Sequence, residues 1–332
     1  QVPVKPIQAE QLIANEKSYA NNKIENGPKI NQFSPLQPQI DVIIALYSGG
    51  QIKEALDAID ILTKDNPNES QLYNISGVCY ASLGQLDDAV NNFKKVVAIR
   101  PNYAEGHYNL GNALKESHQL ESAVLSYKQS ITINSNYAEA YNNLGVVFQS
   151  LDQLDDAVTS YQQALKINPH YAEAHNNLGV TLNDLGQLNE AVNSYQRALR
   201  VQPHYIEAHI NLGTTFKDLG QLDEAIKCYQ QALTIQPNSA ESHFFLGNAY
   251  KDRDQLDEAI KCYQQALTIQ PNFTEAQFNL GNIFDDRGEL DEALQSYNRT
   301  LQIKPDLAKV HNNLGNTLQK LGQLDAAVKS YE

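Results

Sequence analysis

Apolar residues recur along the chain with helical spacing, inside units of constant length. In residues 138–171 the first half of the unit places Tyr141, Leu144, Gly145 and Phe148 on one helical face. The second half repeats this spacing, and the whole pattern returns every 34 residues in units that begin at residues 36, 70, 104, 138, 172, 206, 240, 274 and 308. Eight units are complete, and the ninth reaches Glu332 with nine residues missing. This period predicts an all-α solenoid of stacked helix pairs.

The residues between the helices support this division. Positions are numbered 1 to 34 within each unit, and a repeat is named by the residue at which it begins. Position 15 is glycine in most repeats but His118, Asp152 and Asp254 in three, and glycine there ends a helix with positive φ at little cost. Prolines such as Pro169 and Pro203 at position 32 stop the second helix from continuing.

Small residues form two columns in the predicted helices. Position 8 is Gly77, Gly111, Gly145, Gly179, Gly213, Gly247, Gly281 and Gly315, and position 20 is alanine in the same repeats. Glycine within a helix costs up to about 1 kcal/mol relative to alanine. The columns therefore predict points where helix backbones approach closely.

These columns, with bulky residues at positions 11 and 24 and proline at position 32, resemble the tetratricopeptide repeat. The resemblance extends over residues 36–332 and implies a right-handed superhelical solenoid. One departure recurs at position 4, where the family's large aromatic residue is replaced by His107, His175, His209, His243 and His311. With the sequence "NNLG", this variant is similar to the repeats of the O-linked N-acetylglucosamine transferase family.

The chain has two predicted parts. Residues 1–35 are punctuated by prolines and predict an N-terminal extension or linker, with one candidate short helix at 7–20. Residues 36–332 predict nine repeats, of which the first is degenerate because Ile43 stands where glycine is usual. Because the chain starts at Gln1 and stops within a predicted helix, we expect a fragment of a longer protein.

Composition narrows the classes of partner. Acidic residues outnumber basic ones by 39 to 25, giving a formal charge of −14, and this argues against a nucleic-acid partner. No apolar run is long enough to span a membrane. Cys228 and Cys262 share one position in adjacent repeats, about 10 Å apart and too far for a disulfide. With Cys79 they predict free thiols in a reducing, cytoplasmic compartment.

The sequence contains no sign of catalysis. The position-4 histidines are separated by whole repeats, so no two can share a metal ion. No phosphate-binding loop, dinucleotide fingerprint, nucleophile elbow or zinc-protease motif occurs. We therefore predict a protein that is not an enzyme, with no catalytic residue, no cofactor and no metal.

Position 6 carries the main binding hypothesis. It is Asn109, Asn143, Asn177, Asn211, Asn279 and Asn313. The resemblance implies that first helices line a concave groove and that these asparagines form a ladder along it. A primary amide suits bidentate bonding to a peptide group, and rungs about 10 Å apart match about three residues of extended chain at ~3.3 Å each. The alternative is that the asparagines bond within the helix pair and have only a structural role.

Two further columns refine the expected partner. Position 13 is Glu116, Asp184, Asp218, Asp252 and Asp286, near the C-terminal end of the first helices, where an acid is locally unfavourable. This column predicts an electronegative stripe that prefers a basic or neutral segment.

The asparagine ladder is interrupted at Phe245, where neighbouring positions also become apolar. Ile210, Phe244, Phe245 and Phe278 are expected to cluster in the groove as a pocket for a hydrophobic side chain or as a self-association surface. In the alternative interpretation, the groove narrows there and the rings pack on neighbouring helices.

Three functions remain from the sequence. The first is a scaffold that binds an extended, neutral to basic peptide with a hydrophobic anchor. The second is the substrate-recruiting arm of a modifying enzyme, glycosyltransferase-like or similar, with its catalytic domain beyond Glu332. The third is a structural array that self-associates into a homo-oligomer.

Overall fold

The computed structural model describes residues 36–332, and its regular structure is entirely α-helical. The candidate helix at 7–20 lies outside the described residues. Each repeat supplies two helices, the first usually of 13 residues and the second of 14. The predicted all-α helical repeat fold is confirmed.

The chain divides into two compact units, Gln1–Pro169 and His170–Glu332. The described part of the first unit contains α1 (Gln37–Ser48), α2 (Ile52–Asp65), α3 (Ser70–Ser82), α4 (Leu86–Ile99), α5 (Ala104–Glu116), α6 (Leu120–Ile133), α7 (Ala138–Ser150) and α8 (Leu154–Ile167).

The second unit contains ten helices. These are α9 (Ala172–Asp184), α10 (Leu188–Val201), α11 (Ile206–Asp218), α12 (Leu222–Ile235), α13 (Ala240–Asp252), α14 (Leu256–Ile269), α15 (Thr274–Asp286), α16 (Leu290–Ile303), α17 (Ala308–Lys320) and α18 (Leu324–Tyr331). Consecutive helices pack on each other within the unit, and its core is a series of clusters such as the one around Ala225, Tyr229 and Leu246.

Position 15 adopts the left-handed conformation in every complete repeat. The glycines there have φ between 73° and 77°, and His118, Asp152 and Asp254 take φ of 58°, 58° and 62°. This confirms the predicted helix ending. A residue with a side chain in this conformation is strained, so these three positions carry a backbone cost that the glycines avoid.

The glycines at position 8 have a reason that the sequence pattern did not identify. A Cβ on Gly145 would lie 2.7 Å from Cε1 of Tyr161, and one on Gly179 would lie 2.6 Å from Cε1 of Tyr195. The glycine therefore makes room for the buried aromatic ring at position 24, whereas the sequence predicted an approach of two backbones. The first repeat supports this reason, because Ile43 replaces the glycine where Ile59 replaces the ring.

The position-4 histidines also have a specific role. Nε2 of four of them lies 2.7–3.1 Å from the carbonyl oxygen of the proline six residues earlier, in the pairs His107–Pro101, His209–Pro203, His243–Pro237 and His311–Pro305. Because a carbonyl only accepts, the histidine nitrogen donates. Each such histidine fastens the loop that enters its repeat.

Two searches of the described residues were negative. Among residues 36–332 no helix is long and apolar enough to cross a membrane. The same residues contain no group of three or more histidine, cysteine, aspartate or glutamate side chains arranged to hold a metal ion.

Candidate functional site

The candidate site is built from positions 5, 6, 9, 12 and 13 of the first helices, which we call the amide face. Helical spacing separates these positions from positions 4, 7, 8 and 11, which point towards the second helices and the loops. The amide face is described here separately within each unit.

In the first unit, the position-6 asparagine bonds to the preceding repeat. Asn143 donates through Nδ2 to Oδ1 of Asn112, at 2.8 Å. The hydroxyl of Tyr127 donates to the same oxygen, at 2.7 Å. A tyrosine at position 24, an asparagine at position 9 and the next repeat's position-6 asparagine therefore form one network, which we call the amide triad.

The amide triad recurs twice in the second unit. Asn279 and the hydroxyl of Tyr263 converge on Oδ1 of Asn248, at 2.9 and 2.7 Å. Asn313 and the hydroxyl of Tyr297 converge in the same way on Oδ1 of Asn282, at 2.8 and 2.9 Å. Burial raises the pKa of Tyr263 and Tyr297, so both hydroxyls keep the proton that they donate.

Where position 9 is valine, the position-6 asparagine uses a different acceptor. Asn109 donates to Oδ1 of Asn74 at 3.0 Å, and Asn211 donates to Oδ1 of Asn176 at 3.1 Å. Both acceptors are at position 5 of the preceding repeat. The position-6 asparagines thus link repeats, and the alternative of bonds within one helix pair does not describe them.

The bidentate use of these amides that we expected is changed by the triad. The amide nitrogens of Asn211, Asn279 and Asn313 are bonded to neighbouring repeats. Within residues 36–332, no side-chain Oδ1 of these three asparagines accepts a hydrogen bond, and all three side chains are half-buried. What each offers a partner is an acceptor oxygen. Asn177 is also half-buried and hydrogen-bonded.

At Phe245 the triad is replaced as a whole. Position 9 of the preceding repeat is Thr214, whose hydroxyl lies 3.2 Å from that of Tyr229. The ring of Phe245 stacks on Tyr229 with centroids 5.8 Å apart and an interplanar angle of 13°. Both asparagines of the triad are therefore exchanged together, which the position-6 column alone did not reveal.

The position-5 rings cover the tyrosine of their own repeat. Phe244 lies 6.0 Å from Tyr263 and 4.9 Å from Phe273 between ring centroids. Tyr108 makes the same two contacts in the first unit, at 6.0 and 4.9 Å. Phe278 lies 6.1 Å from Tyr297, and the Lys309 ammonium lies 5.1 Å from the centroid of its other neighbour's ring, that of Phe278 itself.

The predicted apolar cluster is smaller than the sequence indicated. Ile210 is 8% exposed and belongs to the core around Ala225 and Tyr229, so it does not reach the surface. Phe244, Phe245 and Phe278 stay half-buried on the amide face. Phe244 and Phe245 are in contact, with centroids 5.6 Å apart. We call these three residues the phenylalanine cluster.

The acidic column at position 13 is partly neutralised. Asp184, Asp218, Asp252 and Asp286 are exposed. Lys217, at position 12, lies 3.8 Å from the carboxylate of Asp218 and 3.7 Å from that of Asp252. Position 12 of the next repeat is Lys251. The sequence column missed these lysines because they occupy the adjacent position.

Glu116 is the exception in this column. It is half-buried, and burial raises the pKa of its carboxyl while neighbouring Lys115 opposes the shift. Its charge is thus disfavoured by its own surroundings.

Comparisons with known proteins follow this geometry. Family models described as "Tetratricopeptide repeat" match residues 170–238, 205–272 and 262–295, and one described as "TPR repeat" matches residues 77–117, 111–152, 150–186 and 281–322. A search of curated proteins found no match. The resemblance to O-linked N-acetylglucosamine transferase is not among these findings.

Solved structures agree with the fold. The Cut9–Hcn1 hetero-tetramer of APC/C is 19% identical, with a TM-score of 0.58, and the alignment covers 83% of this chain and 54% of that one. MamA is 28% identical with a TM-score of 0.47, covering 50% and 96%. YrrB, described as a TPR protein with an unusual peptide-binding site, is 25% identical with a TM-score of 0.48, covering 57% and 97%.

Proposed function

The chain belongs to the tetratricopeptide repeat family, and from this premise we propose that it is a non-catalytic scaffold whose amide face binds an extended peptide segment of a partner protein. The binding residues in this proposal are the position-6 asparagines and the phenylalanine cluster. The peptide runs along the concave side of the first helices, with one apolar side chain as its anchor.

The observation that carries the proposal is the pairing of acceptor oxygens with exposed ring edges on one surface. Oδ1 of Asn279 accepts no hydrogen bond from the described residues, and its nitrogen is held at 2.9 Å from Asn248. Phe278 precedes it directly, and both are half-buried. An amide oxygen held in place accepts a partner's peptide N–H without a large entropic cost. The rings supply apolar area for an anchor side chain.

The charges on this face set a weak preference. The exposed acids of position 13 favour a neutral to basic segment, and Lys217 and Lys251 reduce the field in the middle of the second unit. We therefore expect modest salt dependence of binding, below that of a surface lined only by acids.

Two other roles use the same residues. A substrate-recruiting arm of a modifying enzyme would bind its substrate through this face, and this role rests on the resemblance of the position-4 histidines alone. Self-association through the phenylalanine cluster would compete with peptide binding.

Selection from a displayed library of random dodecapeptides tests the proposal. Peptides are selected on the 332-residue chain and then compared on Asn279→Ala and Asn313→Ala. We expect each substitution to weaken the selected peptides about fivefold to tenfold, because a hydrogen bond contributes roughly 1 kcal/mol. Asn193→Ala is the matched control, since Asn193 is an exposed asparagine on the second helix α10.

The result separates the three roles. Peptides that bind Asn279→Ala and Asn313→Ala as tightly as the unchanged chain would refute the proposal. Sedimentation at several concentrations, on the unchanged chain and on Phe245→Asn, detects self-association: a dimer lost only in the variant would assign the phenylalanine cluster to that contact.

A further inference from the structure

A second groove lies in the second unit, away from the amide face. It is formed by α14, α15 and α16 and has a volume of about 650 Å³. Its floor includes positions 4, 7 and 11 of α15, namely Gln277, Leu280 and Phe284, and it includes no position-6 residue. The volume is within the roughly 300–1,000 Å³ of typical ligand-binding clefts.

The first reason for the groove is a substitution at position 4. In repeats 104, 206, 240 and 308 a histidine at this position donates to the carbonyl of the proline six residues before it. In repeat 274 the residue is Gln277, and the structure gives no hydrogen bond between it and Pro271. The entering loop is therefore not fastened across this part of the surface.

The second reason is a substitution at position 11. In the preceding repeat, Nε2 of Gln230 donates to the hydroxyl of Tyr250, at 3.2 Å, and bridges the junction between repeats. The equivalent pair one repeat later is Gln264 and Phe284, and phenylalanine has no hydroxyl to accept. In the first unit the equivalent Lys128 lies over the ring of Phe148, 5.4 Å from its centroid. The junction before α15 lacks either bridge.

The Gln277 side chain points to a ligand independently of the groove's shape. It is 4% exposed, and within residues 36–332 its amide takes part in no hydrogen bond. A buried amide normally has a partner, because its desolvation is otherwise uncompensated. Since Gln277 lines the groove, a molecule bound there is placed to supply that partner.

The remaining lining defines the chemistry of that molecule. Gln264, Gln295 and Gln302 add three more primary amides, and Leu267, Leu280 and Phe284 add apolar surface. Arg299 and Glu292 contribute opposite charges, so the groove has no preference for an ion of either sign. Amide side chains match the donors and acceptors of peptide groups, and the apolar floor suits uncharged side chains.

We propose that this groove is a second peptide-binding site, which takes a short extended segment with neutral side chains. It is separate from the amide face, so the chain holds two segments on different surfaces. Linking two such contacts on one partner raises overall affinity without any new contact at either site.

The test closes the groove with residues that the chain already uses elsewhere. Gln277→His combined with Phe284→Tyr copies the residues at His243 and Tyr250 of the preceding repeat. The single change Phe284→Tyr, which adds only one hydroxyl, is the second variant if the double change fails to fold. The probe is the displayed library of random dodecapeptides, selected on Asn279→Ala so that peptides of the amide face are under-represented.

We expect a class of neutral peptides that bind the unchanged chain and Asn279→Ala equally, and that bind the closed variant at least tenfold more weakly. Addition of such a peptide shifts the side-chain amide NMR signal of Gln277. The proposal is overturned if the closed variant retains every selected peptide, or if no peptide is recovered on Asn279→Ala. Because the amide-face variants are scored separately, failure here leaves the first site unaffected.

Discussion

The exchange of Asn for Phe at position 245 is open to a quantitative test, since two residues of the amide triad changed together. Phe245→Asn removes a half-buried ring that stacks on Tyr229 with centroids 5.8 Å apart. Adding Thr214→Asn supplies the missing acceptor next to the Tyr229 hydroxyl, which is now 3.2 Å from the threonine. The double variant thus rebuilds the network seen around Asn248 and Asn282.

The magnitudes follow from burial and bonding. Emptying a fully buried phenylalanine site costs about 3–5 kcal/mol, so a half-buried ring costs about 2 kcal/mol, including ~1 kcal/mol for its stacking. The single variant is therefore expected to lose about 2 kcal/mol. Two restored hydrogen bonds return about 1 kcal/mol each, and the double variant is expected within ~1 kcal/mol of the unchanged chain. The two substitutions should couple by at least about 1 kcal/mol.

Hydrogen exchange in α11–α14 is the suitable assay, because a repeat array opens locally and a single global unfolding energy is poorly defined. Zero coupling between the two substitutions would refute the triad as the reason for the paired exchange. A loss well above 3 kcal/mol in Phe245→Asn would show a core ring. Peptide binding should fall in both variants, since the ring is absent from each.

Three further predictions concern single positions. His118→Gly, at a φ of 58°, should stabilise the chain by about 1 kcal/mol in urea denaturation, and an unchanged midpoint would contradict the strain. Gly179→Ala should destabilise it by about 1–2 kcal/mol, since overpacking against Tyr195 at 2.6 Å outweighs the helix propensity gained; a stabilised variant would contradict the ring contact. Burial raises the pKa of Glu116 in the folded state, so the stability that its protonated form contributes is present at low pH and lost as pH rises through that pKa. Glu116→Gln should therefore raise the melting temperature at neutral pH but not at pH values below the unfolded pKa.

Much of the fold was predictable because it follows from local rules repeated many times. The period, the helix pairs and the left-handed residue at position 15 all depend on residues close in sequence. A glycine at φ 73° needs only its own backbone to be explained. Repetition of the same pattern made each of these inferences stronger than a single helix would allow.

The parts that failed depend on pairs that lie about one repeat apart. The glycine of position 8 is explained by a ring 16 residues later, as in Gly179 and Tyr195. The bond between Asn279 and Asn248 joins residues 31 apart. Reading each column alone assigned both groups to the wrong neighbour. The signal that was available is the joint change of two columns, as in Ile43 with Ile59 or Thr214 with Phe245.

The departures from the repeat pattern are concentrated rather than scattered. Phe245 interrupts the amide triad, and Gln277 with Phe284 opens the second groove in the following repeat. Neither departure is needed by the fold, because neighbouring repeats build the same helix pair with asparagine, histidine and tyrosine at these positions. Positions that break a local rule without structural gain are where function is expected to lie. The two surfaces proposed for binding therefore lie on adjacent repeats of the second unit, and a partner that used both would have to contact α13 and α15 from different sides.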